Sequence, residues 1–140
     1  MKRLELLGVK RLKLLAVFLL LSGMSSSALA EWVRIYGNDQ LNAYADAASI
    51  RKKGNISKVV SLFDFREERV LKDGTPYQSI VRETEFNCKQ NQQRMVSFAI
   101  YSAKMAKGKI VESGEEPQDW KTVSREQLAR DMKKYVCSRD

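Results

Sequence analysis

Residues 77–102 read YQSIVRETEFNCKQNQQRMVSFAIYS, and this stretch decides the fold. Tyr77–Phe86 and Gln93–Ser102 are both rich in β-branched and aromatic side chains, which is typical of strands. The polar run between them predicts the turn of a hairpin. Cys88 lies in this turn, and Cys137 is the only other cysteine in the chain. A bond between the two sulfurs would fasten the hairpin to whatever the C-terminal segment forms.

The first thirty residues have the pattern of an export signal. Five basic residues accompany an apolar run over 14–21, and Ala28-Leu29-Ala30 places small residues where a signal peptidase cuts. The apolar run is shorter than the roughly 20 residues that a membrane-spanning helix needs. We therefore expect a signal peptide over 1–30 and one mature domain over 31–140 without a transmembrane segment. The alternative is an uncleaved N-terminal anchor.

Met24 bears on the destination of the mature chain. Leu21-Ser22-Gly23 is the kind of sequence that precedes the acylated cysteine of a bacterial lipoprotein, but Met24 has no thiol that could carry a lipid. The chain is therefore expected in the periplasm, and the cell surface and secretion are the alternatives.

Removal of the signal changes the electrostatics. The whole chain has 25 basic and 17 acidic residues, a net charge of +8, whereas residues 31–140 have 20 and 16, a net charge of +4. Much of the basicity thus belongs to the export signal, and we expect no nucleic-acid partner. A domain of this length has a modest core, so a covalent cross-link would matter for its stability.

The two cysteines favour a disulfide bond, because exported chains fold in an oxidising compartment. A Cys88–Cys137 bond closes a loop of 50 residues, and such a closure stabilises the folded state by about 4 kcal/mol. The alternative is two free thiols.

The composition argues against most kinds of enzyme. The chain has no histidine, which excludes Ser-His and Cys-His nucleophiles and histidine-bearing zinc sites. It also has no Gly-rich phosphate loop. Glu83 and Glu85 share a strand face and could be posed as an acid–base pair, but a solvated face with Arg neighbours is the favoured interpretation. We predict a non-enzymatic protein without a cofactor or metal.

Two basic clusters are the candidate partner-binding residues. The first is Arg51, Lys52 and Lys53, and the second is Lys104, Lys107 and Lys109. Such clusters suit an anionic partner, either a polysaccharide or an acidic protein segment. The alternative is that both are ordinary solvated loops.

Hydrophobic patterning predicts further strands and one helix. The predicted strands are Trp32–Tyr36, Leu41–Asp46, Ile56–Arg66 and Lys109–Glu112, with a charged loop after Arg66. Ser124 and Gln127 form a capping-box pattern, which predicts the start of a helix that ends near Tyr135. Its apolar residues fall on one stripe, composed of Leu128, Ala129, Met132, Tyr135 and Val136.

The Gln93–Ser102 strand is apolar on both faces. Phe98 and Ile100 lie on one face and Ala99 and Tyr101 on the other. A strand of this kind is covered on both faces, whereas one short helix covers only one. Sheet curvature, the N-terminal segment or a partner chain would cover the other face, and the last of these predicts a homodimer.

An ordered set of short motifs runs through the mature chain. It includes Trp32, VSLFD at 60–64, ETEFNC at 83–88, WKTV at 120–123 and Cys137. With these motifs the mature chain resembles the surface-adhesin protein E-like family of small Gram-negative envelope domains. The resemblance implies an α+β fold, in which an antiparallel sheet of about six strands carries a C-terminal helix on one face, held there by a Cys88–Cys137 disulfide.

The resemblance also implies a function. Its known example is an outer-membrane lipoprotein adhesin that dimerises and binds host extracellular-matrix proteins, and this chain departs from that pattern at Met24. Two hypotheses follow. One is an exported adhesin-like binding module that presents its basic loops or a sheet face to a protein or polysaccharide. The other is a soluble periplasmic structural or interaction protein of the envelope with no role in host adhesion.

Overall fold

The computed structural model of the protein describes residues 29–139, so nearly all of the predicted signal peptide lies outside the described residues. The strands are β1 (Trp32–Gly37), β2 (Leu41–Asp46), β3 (Arg51–Lys53), β4 (Ile56–Val70), β5 (Pro76–Asn87), β6 (Gln92–Tyr101), β7 (Ile110–Gly114) and β8 (Lys121–Thr122), and the helix is α1 (Gln127–Cys137). Single 3₁₀ turns occupy Ala47–Ser49 and Lys104–Ala106. Within the described range no helix is both long and apolar enough to cross a membrane.

All the strands belong to one antiparallel sheet. The continuous order across it is β1-β2-β4-β5-β6-β7, while β3 pairs with the start of β4 and β8 with the start of β6. The sheet therefore has eight strands, more than the predicted number of about six. Three consecutive basic residues in β3 show no apolar alternation, and β8 is only two residues long, so neither produces a strand pattern in the sequence.

Strand β4 is longer than the sequence predicts. The pattern places a charged loop after Arg66, whereas the strand continues to Val70. Beyond an irregularity, Arg69 pairs with Tyr77 and Val70 with Pro76 of β5. Pairing with a neighbouring strand overrides the low strand propensity of the charged residues. The β4–β5 hairpin therefore extends past the rest of the sheet.

The main core lies between one face of the sheet and α1. Ala43, Ala45, Val59 and Phe86 of the sheet are buried against α1. The helix residues in this cluster are Cys137 and those of the predicted stripe, namely Leu128, Ala129, Met132, Tyr135 and Val136. The predicted packing of the helix on one sheet face is therefore confirmed.

Helix α1 does not begin at the predicted capping box. Its N-cap is Glu126, two residues after Ser124, and the Glu126 side chain makes no capping hydrogen bond. Ser124 Oγ accepts the Glu126 N–H at 3.2 Å instead, and the Gln127 side chain binds neighbours within the helix. The helix also ends at Cys137 rather than near Tyr135.

The opposite face of the sheet has no helix on it in the described part of the chain. A row of apolar residues crosses its middle, with Tyr44, Leu62, Val81 and Ala99 paired across four strands. Leu62 is fully buried and the other three are half-buried. We call this row the open-face row. The Lys104–Ala106 turn covers one end of the same face.

Both outer strands of the sheet contain an extra residue. In β1, Ile35 lies between two residues that pair with consecutive positions of β2. In β7, Val111 lies between the partners of Ile100 and Tyr101 of β6. Such β-bulges bend a strand and interrupt its hydrogen-bond ladder. The extra side chains of both bulges pack against core clusters.

Candidate functional site

Cys88 and Cys137 form a disulfide bond, with an S–S distance of 2.07 Å and a Cα–Cα distance of 5.8 Å. The bond joins the β5–β6 turn to the last residue of α1. No free cysteine remains among residues 29–139. The predicted pairing is confirmed, and neither sulfur is available as a thiolate nucleophile.

The first basic cluster lies on a hairpin. Arg51, Lys52 and Lys53 form β3 and are all exposed, and the turn to β4 contains Gly54 with a φ of +60°. Arg51 Nη1 donates to the carbonyl oxygens of Ala48 and Ile50, each at 2.9 Å. Because side chains alternate along a strand, Arg51 and Lys53 share one face and Lys52 lies on the other. The hairpin therefore fixes the backbone of three cationic residues and the side chain of one of them.

The second basic cluster is divided between a structural role and the surface. Lys104 Nζ donates to the Phe65 carbonyl oxygen at 2.7 Å and lies 3.9 Å from a carboxylate oxygen of Asp64. Lys107 and Lys109 are exposed in the loop between β6 and β7. Lys104 therefore anchors this loop on the sheet, although its side chain is 48% exposed.

The two basic clusters do not form one patch. Arg51 pairs with Lys58 near the start of β4, whereas Lys104 binds the backbone of Phe65. These points of β4 are seven residues apart, or roughly 23 Å along a strand. The clusters therefore lie toward opposite ends of the sheet.

Glu83 and Glu85 are both engaged in salt bridges. Lys58 Nζ lies 3.2 Å from Glu83, and Arg94 Nη2 lies 3.4 Å from Glu85. The Arg94 guanidinium also lies over the Trp120 ring, 4.7 Å from its centre. No group of three or more His, Cys, Asp or Glu side chains in the described range is placed to hold a metal ion. The arrangement of the two glutamates is that of an ion-paired strand face.

A groove of about 550 Å³ lies beside α1 and was not predicted from the sequence. Its floor is formed by β2, β4, β5 and β6, and its wall by α1 and the segment before it. Three strand spacings separate β2 from β6, so the floor is roughly 14 Å wide. Among the lining residues are Phe63, Arg82, Thr84, Met95, Lys121 and Leu128.

Arg82 is the cation in the floor of this groove. Its guanidinium lies 4.9 Å from the centre of the Phe63 ring, a cation–π contact. No salt bridge to Arg82 forms within the described residues. The residue is exposed, yet the surrounding protein partly desolvates the guanidinium and lowers its pKa, an effect that Tyr77 opposes. Arginine remains fully charged at neutral pH despite such a shift.

One sequence signal points to this groove. Ile80, Arg82, Thr84 and Phe86 share the strand face that packs toward α1. An arginine at an even position among core-facing residues breaks the alternation of apolar side chains. Natural proteins break this alternation mainly at functional or strained positions. The break could therefore have indicated Arg82 from the sequence alone.

Comparison with protein families identifies the family. The model of the surface-adhesin protein E family matches residues 32–138. This match covers most of the chain, and the chain belongs to the surface-adhesin protein E family. The family resemblance predicted from the ordered motifs is therefore confirmed.

Solved structures of protein E from Haemophilus influenzae have the same fold. One aligns with a TM-score of 0.59 and 13% identity, over 81% of this chain and 88% of that chain. Crystal form II gives a TM-score of 0.62 and 12% identity, over 81% and 91%. Protein E from a non-typeable strain gives 0.59 and 14%, over 81% and 79%. A comparison with curated proteins found no match. Identities this low show a shared fold and transfer no binding residue.

Proposed function

We propose that this chain is an exported, non-enzymatic, adhesin-like binding module whose β3–β4 hairpin contacts an anionic partner. Membership in the surface-adhesin protein E family supports binding as the function. The observation that carries the choice of surface is the exposure of three consecutive cations on this hairpin. The partner is an acidic protein segment or an anionic polysaccharide.

The hairpin is better suited to binding than the second basic cluster. Its backbone is paired with Ile56–Lys58 of β4, and the Arg51 side chain is tied to nearby carbonyl groups. Little conformational entropy is then lost when a partner binds. In the second cluster, by contrast, Lys107 and Lys109 lie in a loop whose backbone is not part of a strand.

Charge reversal tests this surface. The double variant Lys52→Glu/Lys53→Glu leaves the backbone contacts of Arg51 in place. We expect it to weaken binding to immobilised heparin or to an acidic synthetic peptide by roughly tenfold or more. It should also flatten the salt dependence of binding, because that dependence comes from the exposed charges. Surface plasmon resonance at low and high salt measures both effects.

The matched control is Lys107→Glu/Lys109→Glu, which makes the same change of charge toward the other end of the sheet. It should leave binding within about twofold of the wild type, since only close charges are strongly coupled. Equal losses in the two variants would contradict a specific hairpin contact. Failure of the wild-type protein to bind either probe would contradict an anionic partner.

Two cellular locations suit a binding module of this kind. Display on the surface would support host adhesion, whereas confinement to the periplasm would support an interaction protein of the cell envelope. Fractionation of the untagged protein, combined with labelling of intact cells by a membrane-impermeant reagent, separates them. Labelling on intact cells overturns the periplasmic alternative, and recovery from the periplasm alone overturns the displayed adhesin.

A further inference from the structure

We propose that the groove beside α1 is a second binding site, which takes a short extended peptide carrying a carboxylate between apolar side chains. The site uses neither basic cluster, and the proposal does not depend on the function assigned to the hairpin. It rests on the charge, the apolar surfaces and the polar groups of the groove.

The charge of the groove favours an anionic ligand. Its charged lining residues are Arg82, Lys121 and Glu126, which leaves one net positive charge. Glu126 is the N-cap of α1, where the helix dipole already offsets a negative charge. Arg82 has no carboxylate partner in the described range. A guanidinium in this state can bind an incoming carboxylate through two parallel hydrogen bonds.

The Phe63 ring holds the Arg82 guanidinium in position for binding a carboxylate. The guanidinium rests on the ring at 4.9 Å, and a stacked arginine loses less side-chain freedom when it binds a carboxylate. Met95 and Leu128 line the same groove and are half-buried. A ligand can pack its apolar groups against these two side chains, on either side of its charged group.

The polar groups in the groove favour a peptide over an acyl chain. The side chains of Thr84 and Gln93 line the groove, are half-buried and make no side-chain hydrogen bond within the described residues. An acyl chain would cover these groups without pairing them, which is unfavourable. A peptide backbone offers both N–H and C=O groups, and its side chains alternate in direction. The groove floor extends roughly 14 Å from β2 to β6, which is the length of about four residues of extended chain.

The test uses two pools of terminally blocked hexapeptides. In the first pool glutamate is fixed at the third position between apolar residues, and in the second pool glutamine replaces it. The purified protein, with its disulfide intact and labelled with ¹⁵N, is titrated with each pool. We expect the first pool alone to shift the Arg82 Nε–H signal together with the amide signals of Thr84 and Gln93. The substitution R82Q should weaken this binding by roughly 10- to 100-fold.

Matched variants make the result specific. R139Q also removes an arginine that is stacked on an aromatic ring, since the Arg139 guanidinium lies 4.4 Å from the centre of the Tyr135 ring, and neither residue lines this groove. It should bind the glutamate pool like the wild type. R82E should reject that pool and bind a third pool with lysine in place of glutamate.

Three results would overturn the proposal. They are equal binding of the glutamate and glutamine pools, equal losses in R82Q and R139Q, and groove shifts caused by dodecanoate but by no peptide pool. The last result would assign the groove to acyl chains. None of these results bears on the binding measured with the hairpin variants. The groove proposal and the hairpin proposal can therefore each be overturned without the other.

Discussion

Met105 and Ala106 hold left-handed backbone angles, with φ values of 55° and 56°. Such angles are unfavourable for residues that have a Cβ atom. Two buried side chains compensate for this. Asp64 Oδ1 accepts the Met105 N–H at 2.8 Å, and Ser79 Oγ accepts the Ala106 N–H at 3.0 Å. The loop between β6 and β7 is therefore held by side chains of β4 and β5.

Removing the Asp64 carboxylate should destabilise the protein. In Asp64→Ala the Met105 N–H loses its acceptor and Lys104 loses its anionic neighbour, so we expect a loss of roughly 1–3 kcal/mol in the free energy of unfolding. Urea unfolding monitored by circular dichroism measures it. The exposed Asp39 provides the control, since Asp39→Ala should change stability by less than about 0.5 kcal/mol. Similar values for the two variants would contradict the anchoring role.

At the scale of elements, the disulfide determines how firmly α1 is attached to the sheet. Cys137 is the last residue of the helix, and its partner Cys88 lies in the turn between two central strands. Met132 and Val136 pack against the same face of the sheet. The covalent bond therefore fixes the C-terminal end of a helix whose apolar stripe packs on the sheet from Leu128 to Val136.

Replacing both cysteines should cost much of the stability of this small domain. For Cys88→Ser/Cys137→Ser we expect a loss of about 4 kcal/mol in the free energy of unfolding, because the unfolded chain regains the freedom of a loop of about 50 residues. Urea unfolding measures this loss, and hydrogen exchange should show faster exchange in α1 than in β5. The reduced wild-type protein is the control and should match the variant. An unchanged urea midpoint would contradict a stabilising role for the bond.

The sequence predicts elements well where apolar residues alternate. Strands β1, β2, β5 and β6 and the stripe of α1 follow that pattern, and the structure has them within a few residues of the predicted ends. The pattern fails where tertiary pairing supplies the stability. The charged extension of β4 is a strand because β5 pairs with it, and β3 is a strand because β4 does.

The candidate sites could be predicted only in part, because they too depend on contacts between distant parts of the chain. The sequence shows two basic clusters, but the commitment of Lys104 to Phe65 depends on a contact across 39 residues. The groove depends on where α1 lies on the sheet, which no local pattern specifies. Its one local signal is Arg82 among core-facing residues.

At the scale of the whole molecule, the two sheet faces differ in how they are covered. Helix α1 covers part of one face, while the open-face row crosses the other with three of its four residues half-buried. The homodimer predicted from the two apolar faces of β6 would bury this row. The homodimer stays a prediction, and a measurement of the oligomeric state in solution tests it.

A charge placed in the open-face row tests the homodimer. We expect the wild-type protein to have twice the mass of one chain by size-exclusion chromatography with light scattering, and Val81→Glu to be monomeric, because an unpaired buried charge opposes association. The control Thr84→Glu places the same charge on the opposite face of the same strand and should remain dimeric. A wild-type mass of one chain would show that the prediction is wrong.

The bulges at Ile35 and Val111 have a consequence for behaviour at high concentration. An open sheet ends in strands with unpaired N–H and C=O groups, which invite further strands and eventually fibrils. In this protein both outermost strands of the continuous sheet order contain the irregularity, so neither offers an uninterrupted template to another chain. The two ends of the continuous sheet order can therefore remain open without propagating from one molecule to the next.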